Sequence, residues 1–166
     1  DGVPYYTMEL LDGQDLRDLG PVPYREACSY LRDIASSLAL LHAQRLLNRD
    51  LSPRNVRRTE DGRCKLLDFG AMTPFGVTPN VAGTAPFVPP EAAECAFLDQ
   101  RADLYSLGAL AYWLLSGEHA YPASKLDDLP RLWPKPIERV RNRVPDVPEQ
   151  LDSLVMSLLE LDALKR

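Results

Sequence analysis

The spacing of apolar positions divides the chain into a strand-like opening, a helical middle and a proline-rich close. Residues 3–11 are rich in Tyr, Thr and Leu and read as a strand that stops at the turn pair Asp12-Gly13. Over residues 24–43, apolar side chains fall at Ala27, Leu31, Ile34, Leu38 and Leu41, the spacing of a helix with one buried face, and Pro21 and Pro23 suit its start. Residues 55–58 and 64–67 form two short runs around Glu60-Asp61-Gly62, a hairpin turn in which Gly tolerates positive φ. Residues 70–90 carry Gly, Pro and Thr without periodicity, and so long an irregular loop inside a folded domain is usually functional. Residues 101–115 are apolar nearly all round, which predicts a helix buried on every side. Residues 121–147 are proline-rich and should wrap the surface with one short helix near 126–132. Pro148 then opens a last helix with Leu151, Leu154, Val155 and Leu158 on one side.

With 166 residues, 45% of them apolar and 26% charged, the chain fits one folded domain. Its net charge of -5 excludes a binder of nucleic-acid backbone, which needs clustered cations. Cys28, Cys64 and Cys95 have no paired spacing and read as reduced thiols, mostly buried. The longest apolar run, 104–115, is broken by Ser106 and Gly108 and is too short for the ~30 Å of a membrane core. No basic start followed by an apolar block marks residues 1–16 as a signal peptide, so the expected compartment is the cytoplasm. The chain opens on a strand-like run without Met, which reads as an excised piece.

Chemistry concentrates in four segments. Residues 48–55 read N-R-D-L-S-P-R-N, Asp68-Phe69-Gly70 follows thirteen residues after Asn55, Gly83-Thr84-Ala85-Pro86-Phe87 closes the irregular loop, and Pro89-Pro90-Glu91 comes next. Singly each is bland, since D-F-G is a frequent turn and Arg-Asp is usually a solvated pair. In this order and spacing they resemble the H-R-D-L-x-x-x-N, D-F-G, G-T-x-x-[YF] and A-P-E segments of eukaryotic-type (Hanks-type) protein kinases, with wording similar to the bacterial serine/threonine kinases. The resemblance covers nearly the whole chain. It implies an α+β, predominantly α-helical fold: a kinase-like C-lobe with a hinge strand and a small β-hairpin, and without the N-lobe.

The resemblance also implies roles. Phosphoryl transfer relies on positioning and charge neutralisation, for which oxygen side chains on short loops are suited. Asp50 would orient the substrate hydroxyl and accept its proton, Thr84 would bond to Asp50, and Asp68 with Asn55 would hold Mg2+ against ATP. Tyr5 to Leu16 resembles the inter-lobe hinge, with Met8 as gatekeeper, the backbone of Glu9 and Leu11 at the adenine edge, and Asp15 at the ribose. Asp103 opens a D-x-x-S-L-G segment and would accept bonds from the catalytic-loop backbone, and Arg166 would pair with Glu91. The implied partners are a protein substrate and the absent N-lobe in cis.

Several positions depart from the family pattern. Asn48 replaces the usual His beneath Phe69 of the Asp68-Phe69-Gly70 motif, and its shorter side chain is expected to loosen that stack. Ser52 replaces a Lys near the moving phosphoryl, and Arg54 is expected to compensate as the corresponding Arg of tyrosine kinases does. Arg57 sits where the adenine floor is normally apolar. Arg49 would clamp a phosphate on Thr73 or Thr78, but residues 71–100 hold no Lys or Arg, so dependence on loop phosphorylation should be weak. The chain also has no glycine-rich loop and no V-A-I-K lysine. Two rivals remain, a pseudokinase scaffold and a small-molecule phosphotransferase. Retention of Asp50, Asn55 and Asp68 weighs against the first, and the Gly-Thr loop against the second.

Overall fold

The computed structural model describes residues 7–166. Strand β1 (Gln14–Asp15) and the short helix α1 (Leu16–Leu19) lead to the long helix α2 (Tyr24–Ala43). Strand β2 (Leu46–Leu47) follows, then the hairpin of β3 (Val56–Arg58) and β4 (Cys64–Leu66). Two further strands, β5 (Thr73–Pro74) and β6 (Gly76–Val77), a 3-10 turn (Ala85–Phe87), helix α3 (Pro90–Ala93) and strand β7 (Phe97–Leu98) lie in the irregular segment and just beyond it. Helix α4 (Gln100–Ser116), a 3-10 turn (Leu126–Asp128), α5 (Leu129–Leu132), α6 (Val140–Arg143), α7 (Glu149–Leu158) and a last 3-10 turn (Ala163–Lys165) complete the order. The strands form three small antiparallel sheets, β1-β3-β4, β2-β5 and β6-β7, so the fold is predominantly helical.

Helix α4 is the spine. Twelve of its residues are buried, among them Tyr105, Leu110 and Leu114, and α2 and α7 pack across it. Its ends are set locally: the Asp99 carboxylate accepts from Arg101 N at the start, and Gly117, at φ 76°, takes the left-handed turn that ends it. On α2, Ala27, Tyr30, Ile34 and Leu38 are buried, while Leu31 and Leu41 sit at the edge of that face.

Four expectations need correction. Residues 3–6 of the anticipated opening strand lie outside the described residues, and 7–11 are not a strand; the free edge of the hairpin is taken instead by Gln14 and Asp15, paired with Arg58 and Arg57. The buried side of α7 is Asp152, Val155 and then Leu159, with Leu154 exposed, because the Asp152 carboxylate finds Arg139 at 2.6 Å and the backbone N of Arg141 at 3.3 Å. The irregular segment 70–90 contains the short strands β5 and β6. Of the thiols, Cys64 alone is buried, which pushes its pKa up to about 12, while Cys95 is partly covered and Cys28 is exposed. Among the described residues no helix is long and apolar enough to cross a membrane.

Where α4 crosses α7, a Cβ added to Gly108 would stand 2.6 Å from Leu158 Cβ. Gly108→Ala would gain ~1 kcal/mol of helix propensity but forces apart a packed crossing, an overpacking cost of roughly 1–3 kcal/mol. The crossing should win, lowering the thermal midpoint by about 2–4 °C in a circular-dichroism melt.

Candidate active site

The site begins with a charge placed where water cannot reach it. Asp103, on the first turn of α4, is 0% exposed and its carboxylate takes three donors: Asn48 N at 2.9 Å, Arg49 N at 2.9 Å and the His42 ring Nε2 at 2.8 Å. A buried carboxylate is tolerable only when so satisfied. Two of the donors belong to the loop 48–55, so the charge fixes where that loop runs. Arg49 reaches the position with φ 68°, a left-handed conformation uncommon outside glycine.

Beyond Arg49 the loop turns Asp50 toward the surface, half-buried, with both carboxylate oxygens engaged. Thr84 donates its hydroxyl to Oδ1 at 2.8 Å, and Asn55 Nδ2 donates to Oδ2 at 2.9 Å and to the Asp50 carbonyl at 2.9 Å. The Asn55 amide thereby points its nitrogen at Asp50 and leaves its oxygen for another partner. The Asp50 N–H in turn bonds the Asn48 side-chain oxygen at 3.2 Å. Thr84 is brought in by close backbone approach: Gly83, at φ +113°, lies so near that a Cβ would be 2.6 Å from the Arg49 carbonyl oxygen. The segment is held from below by Ser106 of α4, whose hydroxyl donates to the Phe87 carbonyl at 2.7 Å.

The hairpin carries Asp68 to the same region. Leu67 N donates to the Asn55 carbonyl at 2.8 Å, continuing the Val56–Leu66 register, so Asp68 leaves the ladder next to Asn55. It is exposed, has φ 55°, and takes the Gly70 N–H on Oδ1 at 2.9 Å. An exposed carboxylate suits Mg2+, which takes one or two protein oxygens and completes its shell with water and phosphate. Among the described residues no cluster of three His, Cys, Asp or Glu forms a self-sufficient metal cage.

The hinge-side positions are arranged differently from the expectation. Arg57 does not lie free as a floor; its guanidinium donates to Asp15 Oδ1 at 3.1 Å and to the Leu11 carbonyl at 2.9 Å. Two acceptors expected at the nucleotide therefore already have a partner, because β1 pairs Asp15 directly with Arg57. The Glu9 carboxylate is held by Lys65 Nζ at 2.8 Å, and Met8 is 63% exposed and lines no buried wall.

Other positions also differ. Phe69 is 49% exposed and packs in no stack with buried Asn48, whose short amide turns to its own loop. Thr78 is 6% exposed and Thr73 is paired with Leu47 in β5, so neither stands open as a phosphate carrier. Arg49 instead donates to the Asn80 carbonyl at 2.5 Å.

Glu91 and Arg166 meet below the site. The Arg166 side chain is 0% exposed and uses all five of its N–H groups, two on Glu91 and the others on the carbonyls of Arg101, Glu160 and Leu161. Its guanidinium also stacks over Tyr105 at 4.9 Å. No sequence motif marks His42, in the last turn of α2; only its distant partner Asp103 gives it a role.

A model of the protein kinase domain matches residues 3–166. The chain is 34% identical over 162 residues to serine/threonine-protein kinase PknL of Mycobacterium tuberculosis, covering 92% of this chain and 41% of that protein. It is 33% identical to PknB of Mycolicibacterium smegmatis, over 95% of this chain and 27% of the relative. It is 36% identical to pkn2 of Myxococcus xanthus, over 96% of this chain and 21% of the relative. The chain thus spans less than half the length of each of these curated relatives.

Replacing Asp103 with Ala would strand two backbone N–H groups and His42 without their acceptor. Asp103→Ala should cost about 3–5 kcal/mol, and Asp103→Asn less, read from the midpoint of urea unfolding.

Proposed function

The chain belongs to the protein kinase family, and from that premise we propose that it moves the γ-phosphoryl of ATP onto Ser or Thr hydroxyls of protein substrates. The observation carrying this reading is the Asp50 carboxylate, held from both sides by Thr84 and Asn55. Fixed in that way, Asp50 can receive a substrate hydroxyl and take its proton as the oxygen attacks, with no reorganisation of its own. Thr84, carried on the Gly83–Phe87 segment, favours a Ser or Thr acceptor, since that segment resembles the substrate-side loop of serine/threonine kinases. Asn55 and Asp68 would hold Mg2+, which when bound neutralises the phosphate charge. Arg54, exposed beside the loop, supplies positive charge that Ser52 cannot.

The nucleotide side of the reading calls for a small lobe in cis, since residues 1–166 contain neither a glycine-rich loop nor a V-A-I-K lysine. Residues 8–15 would then meet the adenine and ribose once Arg57 releases Asp15 and Leu11. The reaction belongs in the cytoplasm, where ATP and magnesium are supplied. A second reading, a scaffold that binds partners without turnover, is favoured by the Arg57 clamp and by exposed Phe69.

Two measurements on the full-length protein decide between them. Phosphate transfer from labelled ATP to a protein substrate should occur, and Asp50→Ala should lower it by about a hundredfold or more; equal rates in both would refute the assignment. Arg57→Leu frees two acceptors and should tighten Mg·ADP binding by about fivefold in calorimetry, the worth of a partly exposed ion pair. Unchanged or weaker binding would show that the clamp does not compete with nucleotide.

A further inference from the structure

We propose that the cavity on the acceptor side of Asp50 receives an anionic side chain of the protein substrate, one or two residues from the hydroxyl that is phosphorylated. The inference rests on the kinase reading and specifies its substrate class. The cavity has a volume of about 370 Å3, and its wall includes Arg17, Ser52, Arg54, Thr84, Trp113 and His119. Among the described residues no Asp or Glu belongs to its wall, and the Asp50 carboxylate lies behind Thr84.

Its position follows from Thr84, which lines the cavity and donates to Asp50 at 2.8 Å. The opening therefore begins within one side chain of the group that would take the acceptor proton. An extended peptide advances ~3.3 Å per residue, so a side chain that enters here belongs to a near neighbour of the acceptor.

The chemistry of the wall selects the sign of the charge. Arg54 is exposed and has no ion-pair or hydrogen-bond partner among the described residues. Arg17 is fixed beside it because its backbone N donates to the Pro53 carbonyl at 3.1 Å. Among the described residues the Arg17 guanidinium pairs only with Asp18, at 3.1 Å, and both side chains are about half exposed, so water screens that pair and leaves the cation available. Two buried polar atoms of the wall also lack partners among the described residues, the Ser52 hydroxyl on a side chain of a residue 1% exposed, and His119 Nδ1. Buried polar atoms without partners are rare in folded proteins. Burial holds the His119 imidazole below its usual pKa, so it is neutral near pH 7 and adds no charge to the wall. The two guanidinium groups match the oxygens of a carboxylate or a phosphoryl group, and they repel a cation.

The test uses the full-length protein and peptides with one Thr acceptor, varied at the two positions on either side to Glu, phosphoserine, Gln or Lys. The Glu or phosphoserine peptide should exceed the Gln peptide in kcat/KM by about fivefold, mainly through KM, and whichever is better identifies the source of the charge. Arg17→Glu should raise KM for the acidic peptide and shift preference toward Lys, while the rate on the Gln peptide stays. Equal values for Glu, phosphoserine and Gln overturn the proposal and leave the kinase reading intact. A preference that ignores Arg17→Glu removes it from this cavity and overturns the assignment. No transfer to any of the four peptides overturns the kinase reading and the proposal together.

Discussion

A carboxylate sealed inside the protein sets the geometry on which everything else is built. Asp103 could not remain charged within α4 unless donors came to it, and two of the three that do are main-chain groups of the loop bearing Asp50. The demand for satisfaction therefore acts as a positioning force. It draws Arg49 into a left-handed backbone, leaves the Arg49 carbonyl facing Gly83, and so brings Thr84 against Asp50. A buried helix, a loop and the irregular segment share one electrostatic solution.

Much of this was legible in the chain. The apolar run of α4, the one-faced period of α2 and the turn chemistry of the β3-β4 hairpin are strong local signals, and the observed elements fall within a residue or two of them. The contacts Thr84–Asp50 and Glu91–Arg166 follow motif order. What stayed hidden has a common cause, a partner far away in sequence. Leu154 looked like a core residue by period, yet Arg139 rewards burial of Asp152 and rotates α7 away from it. Arg57 looked like an odd floor until β1 set Asp15 opposite it. Two-residue strands such as β5 and β6 carry too few positions for any period to register.

The two sides of Asp50 differ in how their charges are used. On the hinge side, Arg57 is bound to Asp15 and Lys65 to Glu9, so the cations there are spoken for. On the other side, Arg54 stands beside a cavity without a partner among the described residues. One side is internally neutralised and the other is left electrostatically open, which gives the site a polarity that net charge alone does not reveal.

The bond network of Arg166 also has a meaning in time. Glu91 and Arg166 are 75 positions apart, and the guanidinium is the group that fills the space under Tyr105 and α3. A growing polypeptide that has emerged only as far as α7 still carries Glu91 without its counter-charge, so the floor of the Thr84 segment cannot lock. Synthesis must therefore run as far as Arg166 before the ground beneath the Thr84 segment can set, however early the helices that precede it have formed.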